Sequence, residues 1–188
     1  PLDLSPLGGF ADPSVVRWRG RWYLFVSARN GVDLHLLHSP EIERGWQVHP
    51  ASPVAENDAA RGRCGGRLVV VDGGGGGDGG ASASAPRLFR MAQTTSPLYG
   101  LALRVYEVTA LTPTAFAERP AAADGGGLRA SGRLREWNGE AMHHLDAWRV
   151  VDSDGAATWF GVADGRGVYQ HRVARSSSFG AGRDDDAT

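Results

Sequence analysis

The chain contains no lysine. All 20 of its basic side chains are arginine, so a Schiff-base lysine and a P-loop lysine are both excluded. The bias accompanies plentiful Ala and Gly and is what GC-rich coding produces. Cys64 is the single cysteine, which excludes an internal disulfide and fits a reducing compartment. Excess charge of one sign is also missing. With 21 acidic residues against those 20 arginines the net charge is -1, so nothing electrostatic argues for nucleic acid or an anionic membrane as a partner. No apolar run approaches the roughly 18 to 20 residues that span a bilayer. The chain opens with Pro1 and not Met, as expected of a piece of a longer protein with further domains, so missing targeting signals carry no weight.

What is present is β-pattern. Val15–Trp18 and Arg21–Val26 are rich in aromatic and β-branched residues, and Arg19-Gly20 between them marks a hairpin. Val32–His38 reads as a third strand and Trp46–His49 as a fourth. Four antiparallel strands in about 40 residues is the size of one propeller blade. A second unit pairs Gly66–Asp72 with Arg87–Thr94, followed by strands over Gly100–Thr109 and Ala115–Arg119. A third repeats the hairpin with Ala147–Val151 and Thr158–Ala163 around Asp152-Ser153-Asp154-Gly155, with a further strand in Val168–Ala174. No segment sustains a helical pattern for three turns.

The expected fold is therefore all-β. It is a partial propeller of about three four-stranded antiparallel blades near 10–55, 63–120 and 133–175, forming a single domain. Flexible insertions are expected at 73–86 and 120–132, and a disordered tail at 176–188. A closed propeller needs about four to eight blades, so the set implies a fragment or sheets supplied from elsewhere. A two-sheet sandwich is the structural alternative. The Gly73–Pro86 stretch lacks the Lys-Ser/Thr of a phosphate loop and reads as an expanded hairpin loop, an insertion of low entropic cost.

Several pieces carry a family resemblance. Ala11-Asp12-Pro13 before the aromatic hairpin, Ser39-Pro40 and Gly45-Trp46-Gln47-Val48-His49-Pro50 resemble the five-bladed propellers of furanosidase and arabinanase-type glycoside hydrolases. Four further pieces are Arg63-Cys64-Gly65-Gly66-Arg67, Gln93 with Tyr99-Gly100, Leu111-Thr112-Pro113-Thr114 and Met142-His143-His144-Leu145-Asp146-Ala147. In this order they resemble the N-terminal propeller-like region of the glucosamine inositolphosphorylceramide transferases. Where Cys64 stands, that family has a proline. The resemblance places the transferase chemistry in a separate downstream domain, so no catalysis is expected of this chain alone. It also implies a Golgi lumen setting and a saccharide or glycolipid headgroup as partner.

Candidate chemistry follows from side-chain type. Glycoside hydrolysis needs two carboxyls, about 5 to 5.5 Å apart for retention or about 6.5 to 9.5 Å for inversion. The resemblance offers Asp12 as base at the mouth of the funnel, and Glu140 is the best second carboxyl. A turn-capping Asp12 is the competing reading. Arg63, Arg67, Gln93 and Tyr99 suit sugar or phosphate reading, because they combine a planar donor fork, an amide and an aromatic hydroxyl. Ion pairs to Glu56, Asp58 or Asp72 compete with that role. Strand alternation places His144 and Asp146 on one face and His143 on the other, and a His144–Asp146 hydrogen-bonded pair is expected to line a sugar site. No metal or cofactor is assigned. Trp18, Trp22, Trp46, Trp148 and Trp159 recur in strands, so most of them are expected in the core, with Trp137 free to stack on a sugar. Asp184-Asp185-Asp186 reads as a solvated acidic run. Three functions remain open: a non-catalytic carbohydrate-recognising domain of a glycosyltransferase on glycosyl inositol phosphorylceramides, a furanosidase-type hydrolase using Asp12 with Glu140, or an inactive structural fragment.

Overall fold

The computed structural model describes residues 9–71, 85–121, 140–153, 155–166 and 174–176. The two expected insertions therefore fall almost wholly outside the described residues, as do Asp72, Trp137, Asp154 and the tail beyond Ser176.

Twelve strands and no helix occur among the described residues. They are β1 (Phe10–Trp18), β2 (Arg21–Ala28), β3 (Leu34–Ser39), β4 (Gln47–Val48), β5 (Arg63–Cys64), β6 (Val69–Val71), β7 (Arg87–Gln93), β8 (Leu103–Leu111), β9 (Phe116–Pro120), β10 (Ala141–Val151), β11 (Ala157–Arg166) and β12 (Ala174–Ser176). All pairings are antiparallel. They form a sheet β1-β2-β3-β4, a five-stranded sheet β5-β7-β8-β9 with β6 also on β7, and a sheet β10-β11-β12. The first sheet has the four strands read from its sequence. The second gains β5, a two-residue strand too short to leave a periodic signal, and the third has three strands among the described residues.

Local chemistry explains the first sheet. Arg19 and Gly20 take φ of 47° and 84° between the paired Trp18 and Arg21. Positive φ at both central residues is the type I′ geometry whose twist matches a hairpin. Strand β2 is buried from Tyr23 to Ser27, which is why its apolar residues run consecutively instead of alternating.

Two cores join the three sheets. Val16, Tyr23, Phe25, Leu34 and Leu36 of the first sheet pack on Cys64, Leu68, Leu88, Val108 and Leu111 of the second. The opposite face of the second sheet, through Val69, Met91, Leu103 and Val105, packs on Met142, Leu145, Ala147 and Trp159 of the third. Alternation along β7 sends Leu88 one way and Met91 the other, so one strand serves both cores. The tryptophans differ from expectation. Trp18, Trp46 and Trp159 are half-buried at the edges of the cores and Trp148 is 40% exposed. Their ring bulk suits the rim, while Leu, Val and Phe fill the centre.

The leading segments of the three sheets lie side by side. Ser14 Oγ donates to Gly66 O at 2.7 Å, Leu145 N donates to Gly65 O at 2.8 Å, and Arg67 N donates to Asp146 Oδ1 at 2.7 Å. Residue numbers rise together along all three, so the segments run in the same direction. Antiparallel sheets whose first strands run alike around a shared line make a partial β-propeller.

Candidate functional site

The site forms where these three leading segments begin. Strand β1 carries an irregularity between Ala11 and Ser14, and Asp12 sits in it with φ of 50°. Asp tolerates the left-handed region better than most residues, and a bulge re-aims the side chain it contains. The Asp12 carboxylate does not cap its own turn. It crosses to the second sheet, where Oδ2 accepts from Arg63 Nε at 2.6 Å and from Gln93 Nε2 at 3.1 Å.

Arg63 and Gln93 are direct partners across β5 and β7. Gln93 is 3% exposed, and its Nε2 also donates to Cys64 O at 2.9 Å. Both groups facing Nε2 are acceptors, so the amide has one sensible orientation. The Arg63 guanidinium lies 4.7 Å from the centroid of the Tyr99 ring, a cation over an aromatic face. Tyr99 in turn meets the His143 ring edge to face, with centroids 5.4 Å apart. Gly100 makes that approach possible. It adopts φ of 69°, and a Cβ there would come within 2.9 Å of His143 Cβ and Cδ2.

His143 ends the series on Asp164 of β11, with Nδ1 at 2.7 Å from Oδ1 and 2.6 Å from Oδ2. Asp12, Arg63, Gln93, Tyr99 and His143 are thus one connected set spanning all three sheets, completed by Asp164. The sequence reading missed Asp164; the only signal was its place in an aromatic strand that had to pair with the His-His segment.

The remaining candidates stand apart. Asp146 accepts from Arg67 N, as above, and His144 Nε2 lies 3.6 Å from Asp146 Oδ1. The two share a face as alternation required, but 3.6 Å is beyond hydrogen-bond range. The hydrogen-bonded His–Asp pair is His143–Asp164 instead. Arg67 and His144 are exposed. Glu140 lies at the surface in an ion pair with Arg166 at 3.2 Å. Asp58 pairs with its near neighbour Arg61, so it does not compete for Arg63. No group of three or more His, Cys, Asp or Glu side chains suited to a metal ion stands among the described residues.

Comparison with known proteins adds the following. The family model described as "Glucosamine inositolphosphorylceramide transferase 1, N-terminal" matches residues 8–166. Two curated proteins called glucosamine inositolphosphorylceramide transferase 1, from Oryza sativa subsp. indica and subsp. japonica, are each 29% identical over 177 residues. That span is 90% of this chain and 21% of each rice protein, so the chain covers about a fifth of the relatives' length. Among solved structures, a thermostable family-43 glycoside hydrolase superposes with a TM-score of 0.38 and 14% identity. The superposition covers 82% of this chain and 41% of the hydrolase.

Proposed function

Because this chain belongs to the family of the N-terminal region of glucosamine inositolphosphorylceramide transferase 1, we propose that it is a carbohydrate-recognising propeller domain. On this reading it serves a glycosyltransferase acting on glycosyl inositol phosphorylceramides and performs no bond cleavage itself. The observation that carries the reading is the Asp12–Arg63–Tyr99–His143 series. It combines a half-exposed aromatic ring with fixed donors and acceptors, the mixture that suits a ring of hydroxyls with an apolar face. Asp12 and Arg63 neutralise each other, which favours the sugar or cyclitol part of a headgroup over its phosphate.

Hydrolysis is the weaker reading. Asp12, Asp164 and Glu140 are each engaged by a cationic or imidazole partner, an arrangement that holds carboxylates in place and does not poise a free acid and base.

The test is calorimetric binding of glucosamine, myo-inositol and myo-inositol 1-phosphate to the chain, repeated with Arg63→Ala and Tyr99→Ala. Saturable binding that weakens about tenfold or more in both variants, a loss of about 1.4 kcal/mol, supports the proposal. Equal affinity in wild type and variants removes the site, and turnover of an aryl glycoside by the wild type would restore the hydrolase.

A further inference from the structure

We propose that Asp164 is a positioning residue. It holds His143 in the tautomer protonated at Nδ1, so that Nε2 is presented as a hydrogen-bond acceptor for a hydroxyl of a neutral saccharide or cyclitol. The inference rests on the saccharide reading above and names the contact that reading lacks.

Three observations carry it. Both oxygens of Asp164 lie within hydrogen-bond range of Nδ1. A carboxylate there only accepts, so Nδ1 must supply the proton, and in the neutral ring Nε2 then keeps its lone pair. The Cβ and Cδ2 side of His143 is closed by Gly100. The side chain is 36% exposed, and with Nδ1 on Asp164 and the Cβ–Cδ2 side closed, the Cε1–Nε2 edge is what remains to face solvent. Finally, the ring stands beside Tyr99, and Arg63 lies over Tyr99 with Nε committed to Asp12. Its two terminal nitrogens remain as donors.

A ring-nitrogen lone pair accepts the proton that a saccharide or cyclitol hydroxyl donates. A phosphate dianion or diester offers only acceptors and gains nothing from a lone pair at Nε2.

Long-range proton–nitrogen NMR of the full chain, recorded at about pH 8.5, roughly two units above the ordinary imidazole pKa, reads the tautomer directly. The expected result is an Nδ1–H pattern for His143 that is lost or mixed in Asp164→Asn. An Nε2–H pattern in the wild type overturns the proposal, and that readout needs no variant to fold. On adding myo-inositol, the Nε2 resonance of His143 should move, and Asp164→Asn should bind about tenfold more weakly. Equal binding by a folded Asp164→Asn overturns the proposal even if the wild type binds well. If the wild type shows the Nδ1–H pattern but binds no saccharide, the saccharide reading fails and the hydroxyl contact fails with it, while the positioning of His143 by Asp164 stands.

Discussion

Gly66 shows how much a single residue decides here. It sits at φ of 136°, and a Cβ would fall 2.0 Å from Leu145 O. That carbonyl belongs to the strand that brings His143, Leu145 and Asp146 against the second sheet. Gly66→Ala is therefore expected to destabilise by about 3 kcal/mol, since it meets fixed backbone and not a movable side-chain tip. Urea denaturation checks it, and a change under about 1 kcal/mol would show that the third sheet yields easily. Arg63 is equally particular. Arg63→Lys keeps the charge but loses the Nε–H held by Asp12 and the flat surface over Tyr99. Its expected effect on saccharide binding approaches that of Arg63→Ala, which a titration of the two variants side by side will read.

At the scale of the element, the second sheet is stapled by ion pairs of two kinds. Arg90 on β7 and Glu118 on β9 are 0% and 1% exposed and joined by two hydrogen bonds of 2.8 and 2.7 Å. Removing one partner strands a buried charge, so Glu118→Gln should cost about 3–5 kcal/mol in thermal or chemical unfolding. Glu107 on β8 is the acid-sensitive group. Hydrogen bonds from Arg87 and then Arg119 hold its pKa down at about 2, against an ordinary value of 4.5. The folded pKa is depressed, so this stabilisation is complete above about pH 4.5 and disappears as the pH falls towards 2. A plot of unfolding free energy against pH should fall across that window, and Glu107→Gln should flatten its share of the slope. His38 adds a separate component. Burial, then Arg21 and His49, lower its pKa from 6.5, so its contribution is present above pH 6.5 and weakens on acidification below it.

For the whole molecule, the two cores differ in depth. The first joins residues of β1, β2 and β3 to β7 and β8, with Phe25, Leu34, Leu36 and Leu88 all fully buried. In the second, Met142 is the sole buried apolar residue that the third sheet contributes among the described residues. Local opening follows buried apolar contact. Amide hydrogen exchange should therefore be slowest in β2, β3, β7 and β8 and faster by about tenfold or more in β10 and β11. Uniform protection across all three sheets would show that the third is bound as firmly as the others. The site itself is built from all three, so any loosening of β10 relative to β7 moves His143 away from Tyr99 and should weaken ligand binding before it unfolds the chain.

Much of this was legible along the chain, because neighbours in sequence set strand period and turn chemistry. Arg19-Gly20 specified its hairpin and the aromatic run of β2 marked a strand, while the family resemblance picked out the Ala11-Asp12-Pro13, Arg63–Arg67 and His143–Asp146 stretches that meet. Which side chain meets which was settled only by the packing of the sheets. Asp12 turns to Arg63 and Gln93 because of a bulge that no periodicity announces. Asp164 and not Asp146 holds His143 because the ladder of β10 on β11 is irregular between Ala141 and His144. That irregularity brings His143 to Asp164 although the regular register pairs Asp164 with His144. Local propensity acts over a few residues, whereas the contacts that make the site span 51 positions for Asp12 and Arg63 and 21 for His143 and Asp164.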